Sequence, residues 1–308
     1  MNCEVVSLTN YKSVINQTLT VFHGHEFNVL NSSKCDELIY MLFKDSKYRA
    51  GIIFGREDAN LKSPFSAPYG GISFLKELKP EVFKEILLAL NKKLKEKRYR
   101  SIEITLPPLI YNPSEISKIV QSFYTTGFDV KAIDLNNHLE LSKTKSITQL
   151  YNRNARRNYN SISSKDFNFF VAKKLNQKKE AYKVLKKNRE SNGYELKMGF
   201  EEILKTLKII NGDFLGLSYK GKVICSALVY EVSKYINQVI YWGHLPSYDN
   251  LAPMYLFVNY VFKFYKEKGK KILDIGPSSE NSQVNNGLFY FKRSIGCDTS
   301  LKYSFIKD

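Results

Sequence analysis

The sequence predicts an α/β protein of the α+β kind: two tandem domains, each a mixed, largely antiparallel sheet flanked by helices. Three observations carry that expectation. Residues 214–243 hold three apolar runs, Phe214–Ser218, Val223–Val232 and Tyr235–Gly243, broken at Lys220-Gly221 and Ser233-Lys234 as in an antiparallel meander. Two amphipathic stretches, Lys79–Lys97 and Pro253–Lys268, each lead into a short apolar strand, as a helical crossover between parallel strands does. The halves also end alike. Lys95-Glu96-Lys97 and Lys266-Glu267-Lys268 close a helix, a strand follows (Ser101–Leu106, Ile272–Ile275), and Pro107 or Pro277 stops it. The division near Ser142 gives domains 1–142 and 143–308.

In the first domain, Tyr11–Thr18 reads as a short helix, and Cys35–Phe43 with Tyr48–Phe54 as an antiparallel pair. Pro and Gly punctuate Ser63–Gly71, so no regular element fits there. Lys79–Lys97 has Pro80 in its first turn and Val82, Phe83, Ile86, Leu87, Leu90 and Leu94 on one face. Ser101–Leu106 is a strand, Ser114–Tyr124 a helix, and Asp134–Leu141 an alternating strand. In the second domain, Ile147–Asn160 reads as helix and Asp166–Ala172 as strand. Lys178–Ser191 and Phe200–Ile209 are helices split by Asn192-Gly193, before the meander, the crossover helix and Ile272–Ile275. The chain then enters a polar loop, Ser278–Asn286, an aromatic helical turn, Gly287–Arg293, and a last strand with Leu301, Tyr303 and Phe305 on one side. A strand feeding a loop and a helix presents loop groups at its carboxyl end, where open sheets bind ligands. Gly276, Ser278 and Asn286 are the candidates there.

No apolar run approaches the eighteen or so residues of a membrane span. The amino terminus lacks a signal pattern, and Cys3, Cys35, Cys225 and Cys297 form no CxxC pair. A cytoplasmic protein is expected, with the inner face of the membrane within its reach. Charge is uneven: residues 1–142 hold 18 basic and 16 acidic side chains, and residues 143–308 hold 29 and 14. The surplus suits an anionic partner or a solvated lysine-rich face, and both readings stay open. GxSxG, HExxH, P-loop and Rossmann patterns are all missing, which removes serine hydrolase, zinc protease, NTPase and dehydrogenase chemistry. His23-Gly24-His25 offers two ligands on a possible strand, but no third set follows at zinc spacing, so no metal is expected.

Three segments together resemble the Fem-type (FemAB-like) branch of the GNAT acyltransferase superfamily, whose members carry two such domains in tandem. Ser63-Pro64, Ala67-Pro68 and Gly70-Gly71 are similar to its SPxxAPxGG segment. Leu150–Asn158 resembles the basic signature that opens the second domain, and Gly287-Leu288, Phe291-Lys292 and Gly296 resemble its GLxxFKxxxG signature. The likeness spans essentially the whole chain. It implies acyl transfer to an amine, with either aminoacyl-tRNA or an acyl-CoA such as acetyl-CoA as donor. Two departures bear on the donor. Lys173–Ser191 is too short for the long coiled-coil arm of some relatives, and His244–Asn250 lacks a glycine-rich pyrophosphate loop. Backbone N–H groups near Ala252 at the following helix start remain able to bind phosphate.

On this resemblance, Lys292 faces the cleft as a fixed cation near a developing oxyanion or a phosphate, with Arg293 beside it; otherwise the two are a solvated pair at a helix end. Asp274 is a proton acceptor or a lysine partner. Arg153, Arg156 and Arg157 share a helical face suited to phosphates, or cover a surface. Tyr241 and Trp242 form a cleft wall or core, and His244 is the general base or a structural histidine. Tyr69, Gly70 and Gly71 shape the acceptor side. The expected activity is N-acyl transfer, with acyl-CoA the favoured donor, to an amine on a cell-envelope or surface-polysaccharide precursor. The precursor would be an anionic small molecule or a lipid-linked sugar. The alternatives are an aminoacyl-tRNA-dependent peptidyltransferase acting on a peptidoglycan precursor, with tRNA as partner, and a non-catalytic protein binding anionic lipid or RNA. DNA is not expected as a partner.

Overall fold

Alternating apolar side chains and two helical crossovers build two compact units in the computed structural model, which describes residues 1–308. Unit 1 comprises Met1–Leu135, Ser279–Gln283 and Ser300–Asp308; unit 2 comprises Asn136–Ser278 and Val284–Thr299. The sequence reading leaves the last strand with the second domain, whereas its contacts assign Ser300–Asp308 to unit 1.

Unit 1 is built from β1 (Asn2–Val6), α1 (Leu8–Val14), α2 (His25–Leu30), β2 (Glu37–Lys44), β3 (Tyr48–Glu57), β4 (Asn60–Ser63), β5 (Ser73–Phe74), α3 (Pro80–Lys97), β6 (Ser101–Thr105), α4 (Pro113–Thr125) and the first half of β7 (Asp129–Glu140). Strands β1 to β4 pair antiparallel in chain order, and β4 then pairs parallel with β6. Helix α3 makes that parallel step. Pro80 opens it, Phe83, Ile86, Leu87, Leu90 and Leu94 are buried, and Arg98 ends it in the left-handed region. The first helix forms earlier in the chain than Tyr11–Thr18 because Ser7 Oγ caps it, accepting from Asn10 N at 3.2 Å. His23 and His25 are not on a strand: His23 sits in a buried helical turn and His25 starts α2.

Unit 2 continues with α5 (Arg153–Ile162), β8 (Phe167–Val171), α6 (Leu175–Ser191), α7 (Phe200–Thr206), β9 (Gly212–Tyr219), β10 (Lys222–Glu231), β11 (Ile236–His244), α8 (Met254–Glu267) and β12 (Ile272–Pro277). Two tiny strands, β13 (Ser279–Glu280) and β14 (Gln283–Val284), precede α9 (Asn286–Ser294) and β15 (Asp298–Lys307). The strand order is β7-β12-β11-β10-β9-β8. Only β11–β12 is parallel, with α8 as the crossover. The helix expected over Ile147–Asn160 is broken: a short turn ends at Gln149 and α5 starts at Arg153. Asn152 makes the break, because its side chain accepts from Ala155 N at 2.9 Å and its own N–H donates to Ser294 O.

The core of unit 2 packs Phe257, Val258, Val261 and Phe262 of α8 against Leu215, Leu217, Ala227, Val229 and Leu273 of the sheet. Two features of the register prepare the site. Pairing between β11 and β12 stops at Gln238↔Asp274, although β11 runs to His244 and β12 to Pro277. Strand β11 also carries a bulge, since Leu228 faces Tyr241 but Val229 faces Val239.

Gly216 lies under the Phe170 ring of the neighbouring strand, and a Cβ there would come within 2.3 Å of it. Gly216→Ala is expected to lower stability by about 1–3 kcal/mol. Adding Phe170→Ala is expected to recover part of that loss in a double-mutant cycle of chemical unfolding.

Candidate active site

Where β11 and β12 part, a cavity of about 790 Å³ opens within unit 2. Val239 to His244 of β11 form one wall, and Ile275, Gly276 and Pro277 of β12 another. Asn188, Arg189, Asn192 and Tyr194 come from the end of α6 and its exit. Ala252, Met254 and Tyr255 come from the start of α8, and Gly287, Leu288, Phe291 and Lys292 from α9. The position follows from topology, because parallel strands that separate at their carboxyl ends leave a crevice there.

Lys292 is 2% exposed. Its Nζ donates to Gly276 O and Pro277 O, both at 2.8 Å, which leaves one of its three N–H groups without a protein partner. Burial lowers the amine from the ordinary 10.5 to about 8, against the opposing influence of Cys297 and Asp274. Gly276 can turn the strand end because it sits at φ +78°, a conformation that side chains disfavour. Asp274 Oδ1 fixes that turn by accepting from Gly276 N at 2.9 Å and from Asn136 Nδ2 at 2.8 Å. Asp274 is fully buried and does not line the cavity. The proton-acceptor reading of Asp274 is therefore corrected: its carboxylate holds the turn that holds Lys292.

His244 lines the cavity, and its Nε2 lies 2.7 Å from Asp249 Oδ1. With a neutral ring, Nε2 must carry the proton to bond a carboxylate, so Nδ1 holds the lone pair. Nδ1 is buried and has no hydrogen-bond partner. Asn188 Nδ2 donates to His244 O at 2.9 Å, and the Asn188 side chain lies over Gly243, where a Cβ would be 2.2 Å from Oδ1. Arg189 supplies the other cation of the lining. Its guanidinium carbon lies 4.8 Å from the Tyr194 ring centre and 5.9 Å from that of Tyr241, and its Nε has no partner. Trp242 lies edge-to-face with Phe291, ring centres 6.1 Å apart, and both line the cavity.

Of the residues singled out in the sequence, the fold brings Tyr241, Trp242, His244, Gly276 and Lys292 to this cavity. The others lie elsewhere. Ser278 is buried and donates to Asn137 Oδ1; Asn286 is exposed in the first turn of α9, which is capped by Asn285. Arg293 is exposed and donates to Cys297 O. Arg153 and Arg157 are exposed on α5, and Arg156 donates to Tyr151 O at 3.2 Å; none of the three lines the cavity. Asn188, Arg189, Tyr194, Asp249 and Asn285 were not anticipated. The only sequence cue was the Asn192-Gly193 break after α6, which does not reveal where the helix end points.

Unit 1 has its own cavity of about 480 Å³, beyond the parallel pair β4–β6, lined in part by His23, Gly70, Ile72, Leu106, Pro107 and Glu115. Gly70 N donates to Thr105 O, and Gly71 N to Ser63 Oγ at 3.1 Å. Of the Tyr69–Gly71 triplet only Gly70 lines this cavity; the Tyr69 ring is fully buried between Phe22 and Tyr111. Burial lowers His23 to about 4.

These sheets and crossovers define a tandem GNAT fold of the Fem type. Among solved structures the chain is similar to FemX, at TM-score 0.70 and 10% identity over 99% of this chain and 97% of that one. It is also similar to L-PGS from Bacillus licheniformis, at 0.62 and 14% over 97% and 91%. A tandem GNAT protein from the clavulanic acid biosynthesis pathway gives 0.56 and 9% over 99% and 98%. No protein-family model matches the sequence, and no curated protein does.

The buried amine makes stability depend on pH with a definite sign. Folded Lys292 releases its proton near pH 8 and the unfolded residue near 10.5, so between these values the unfolded chain binds more protons and stability rises with pH. Relative to Lys292→Met, the wild type is expected to gain up to about 3 kcal/mol across that window in urea unfolding. A difference that stays constant with pH would show that the ammonium is not buried. For the histidine, nitrogen NMR of the neutral ring is expected to place the proton on Nε2, and Asp249→Ala to abolish that preference.

Proposed function

We propose that the protein is an N-acyltransferase that moves an acyl group from acyl-CoA to an amine on a cell-envelope or surface-polysaccharide precursor. The observation that carries this reading is the parting of β11 and β12 over the 790 Å³ cavity. Beyond Gln238 the β11 edge is released from β12, so an extended, amide-bearing donor arm can lie along it as an added strand. The start of α8 lines the same cavity, and its N-cap, Pro253, provides no side-chain cap. N–H groups that a helix start leaves without an intrahelical partner suit the phosphates of such a donor. Ala252 takes the left-handed conformation before this helix, at φ +47°, in the place where related loops use glycine.

In the transfer, the amine nitrogen attacks the thioester carbonyl, the N–C bond forms, the C–S bond breaks, and the thiolate leaves. Before the attack His244 Nδ1 takes a proton from the acceptor's ammonium, which frees the nitrogen lone pair, and Asp249 keeps the ring in the tautomer that can do so. The nitrogen's next proton goes to the departing thiolate as the amide forms. Lys292 presents its remaining N–H to the oxyanion from a preorganised, water-poor position. Arg189, held by the two tyrosines, engages a phosphate or carboxylate of the acceptor.

A second reading uses aminoacyl-tRNA as the donor. It is favoured by the 14 basic against 3 acidic side chains of residues 143–192 and by the exposure of Arg153 and Arg157. Incubation with panels of acyl-CoAs and charged tRNAs separates the two. The expected outcome is release of free CoA thiol with formation of an amide on an amino-sugar nucleotide or lipid-linked amino sugar. His244→Ala and Lys292→Met are expected to lower turnover by about 100-fold or more. Consumption of charged tRNA alone would favour the second reading. Turnover with neither donor, together with steeply salt-dependent binding of RNA or anionic vesicles, would make the protein a non-catalytic binder.

A further inference from the structure

Away from the cavity, three side chains of unit 2 converge on one point. His138 and Glu140 lie two apart on β7 and so leave the same face of the strand. Asp298 is the first residue of β15. One ligand atom from each of the three lies within 4.8 Å of the other two. His138 is 5% exposed, and its Nδ1 is buried with no hydrogen-bond partner. A ring nitrogen buried without a protein partner is uncommon in a folded protein and is open to serve as a ligand. Lys143 bridges the two acids, with Nζ 3.2 Å from Glu140 Oε1 and 2.5 Å from Asp298 Oδ2.

We propose that His138, Glu140 and Asp298 form a binding site for a divalent transition-metal ion of the zinc class, with the Lys143 ammonium as the counter-charge that keeps the carboxylates together when no ion is bound. A cation at the centre of a triangle with 4.8 Å edges lies about 2.8 Å from each corner. Zinc bonds of about 2.0–2.2 Å then require each side chain to move inward by less than about 1 Å. One imidazole with two carboxylates suits zinc, manganese or iron better than magnesium or calcium, which take oxygen donors alone. The Lys143 side chain is 46% exposed and the two carboxylates 37% and 44%, so an ion has access and the lysine has room to swing into water. The bound ion would join β7 directly to the first residue of β15, a link that the ammonium now makes through a flexible stem. It lies outside the proposed catalytic cavity and does not depend on that function.

The test is zinc competition against a chromophoric chelator, using the full-length chain freed of metal, with magnesium as the control. One zinc per chain is expected, with no competition from magnesium. His138→Ala and Asp298→Asn are each expected to weaken binding about tenfold or more. Lys143→Met is expected to tighten it by about tenfold, because the competing ammonium is gone; this surface substitution keeps the test informative if His138→Ala fails to fold. Zinc bound as tightly by His138→Ala as by the wild type, or by neither the wild type nor Lys143→Met, would overturn the proposal.

Discussion

An ammonium taken out of water has to be met by oxygen atoms, and in unit 2 the carbonyls of Gly276 and Pro277 meet that of Lys292. Both carbonyls belong to the end of β12, after its pairing with β11 has stopped. Residues that a longer ladder would have occupied are thus free to hold a side chain from α9. The Asp274 carboxylate steadies the same turn through Gly276 N. Acid, glycine turn and lysine form one chain of contacts, in which the acid is buried support and only the lysine reaches the cavity.

The same crossover geometry occurs in each unit, with different chemistry at its end. In unit 1 the parallel pair β4–β6 runs into Ser63-Pro64 and Leu106-Pro107, and the cavity beyond holds His23, driven toward neutrality by burial. Helix α4 ends on Ser122-Phe123-Tyr124-Thr125 and α9 on Phe291-Lys292-Arg293-Ser294, so only the second copy carries cations there. A buried cation and a histidine–aspartate pair line one cavity; a buried neutral histidine and Glu115 line the other.

Charge shows how composition and site can diverge. The basic surplus of residues 143–192 lies largely on exposed positions of α5 and α6. Arg189 is the exception: two tyrosine rings hold it at the cavity while Lys183, Lys186 and Lys187 of α6 are exposed. One fixed guanidinium in a partly enclosed site contributes more to ligand choice than several mobile lysines in water. No helix is long and apolar enough to cross a membrane.

The sequence by itself determined the crossover helices α3 and α8, the β9–β11 meander, the tandem repeat, and the cations of α9. Each of these is written in local periodicity or in a compact motif. It also marked Tyr241, Trp242, His244, Gly276 and Lys292, since strand ends and helix starts are local signals. Only the tertiary structure decided that Asp274 is buried outside the cavity lining, that Asn188, Arg189 and Asp249 belong to it, and that Arg153, Arg156 and Arg157 do not. It decided as well that Ser300–Asp308 returns to unit 1, pairing Ser304–Lys307 with β6. The reason is physical. Which strand a segment joins depends on edges left open by residues far away in the chain, and the bulge at Ile240 and the parting of β11 from β12 re-aim side chains in ways that alternation does not record.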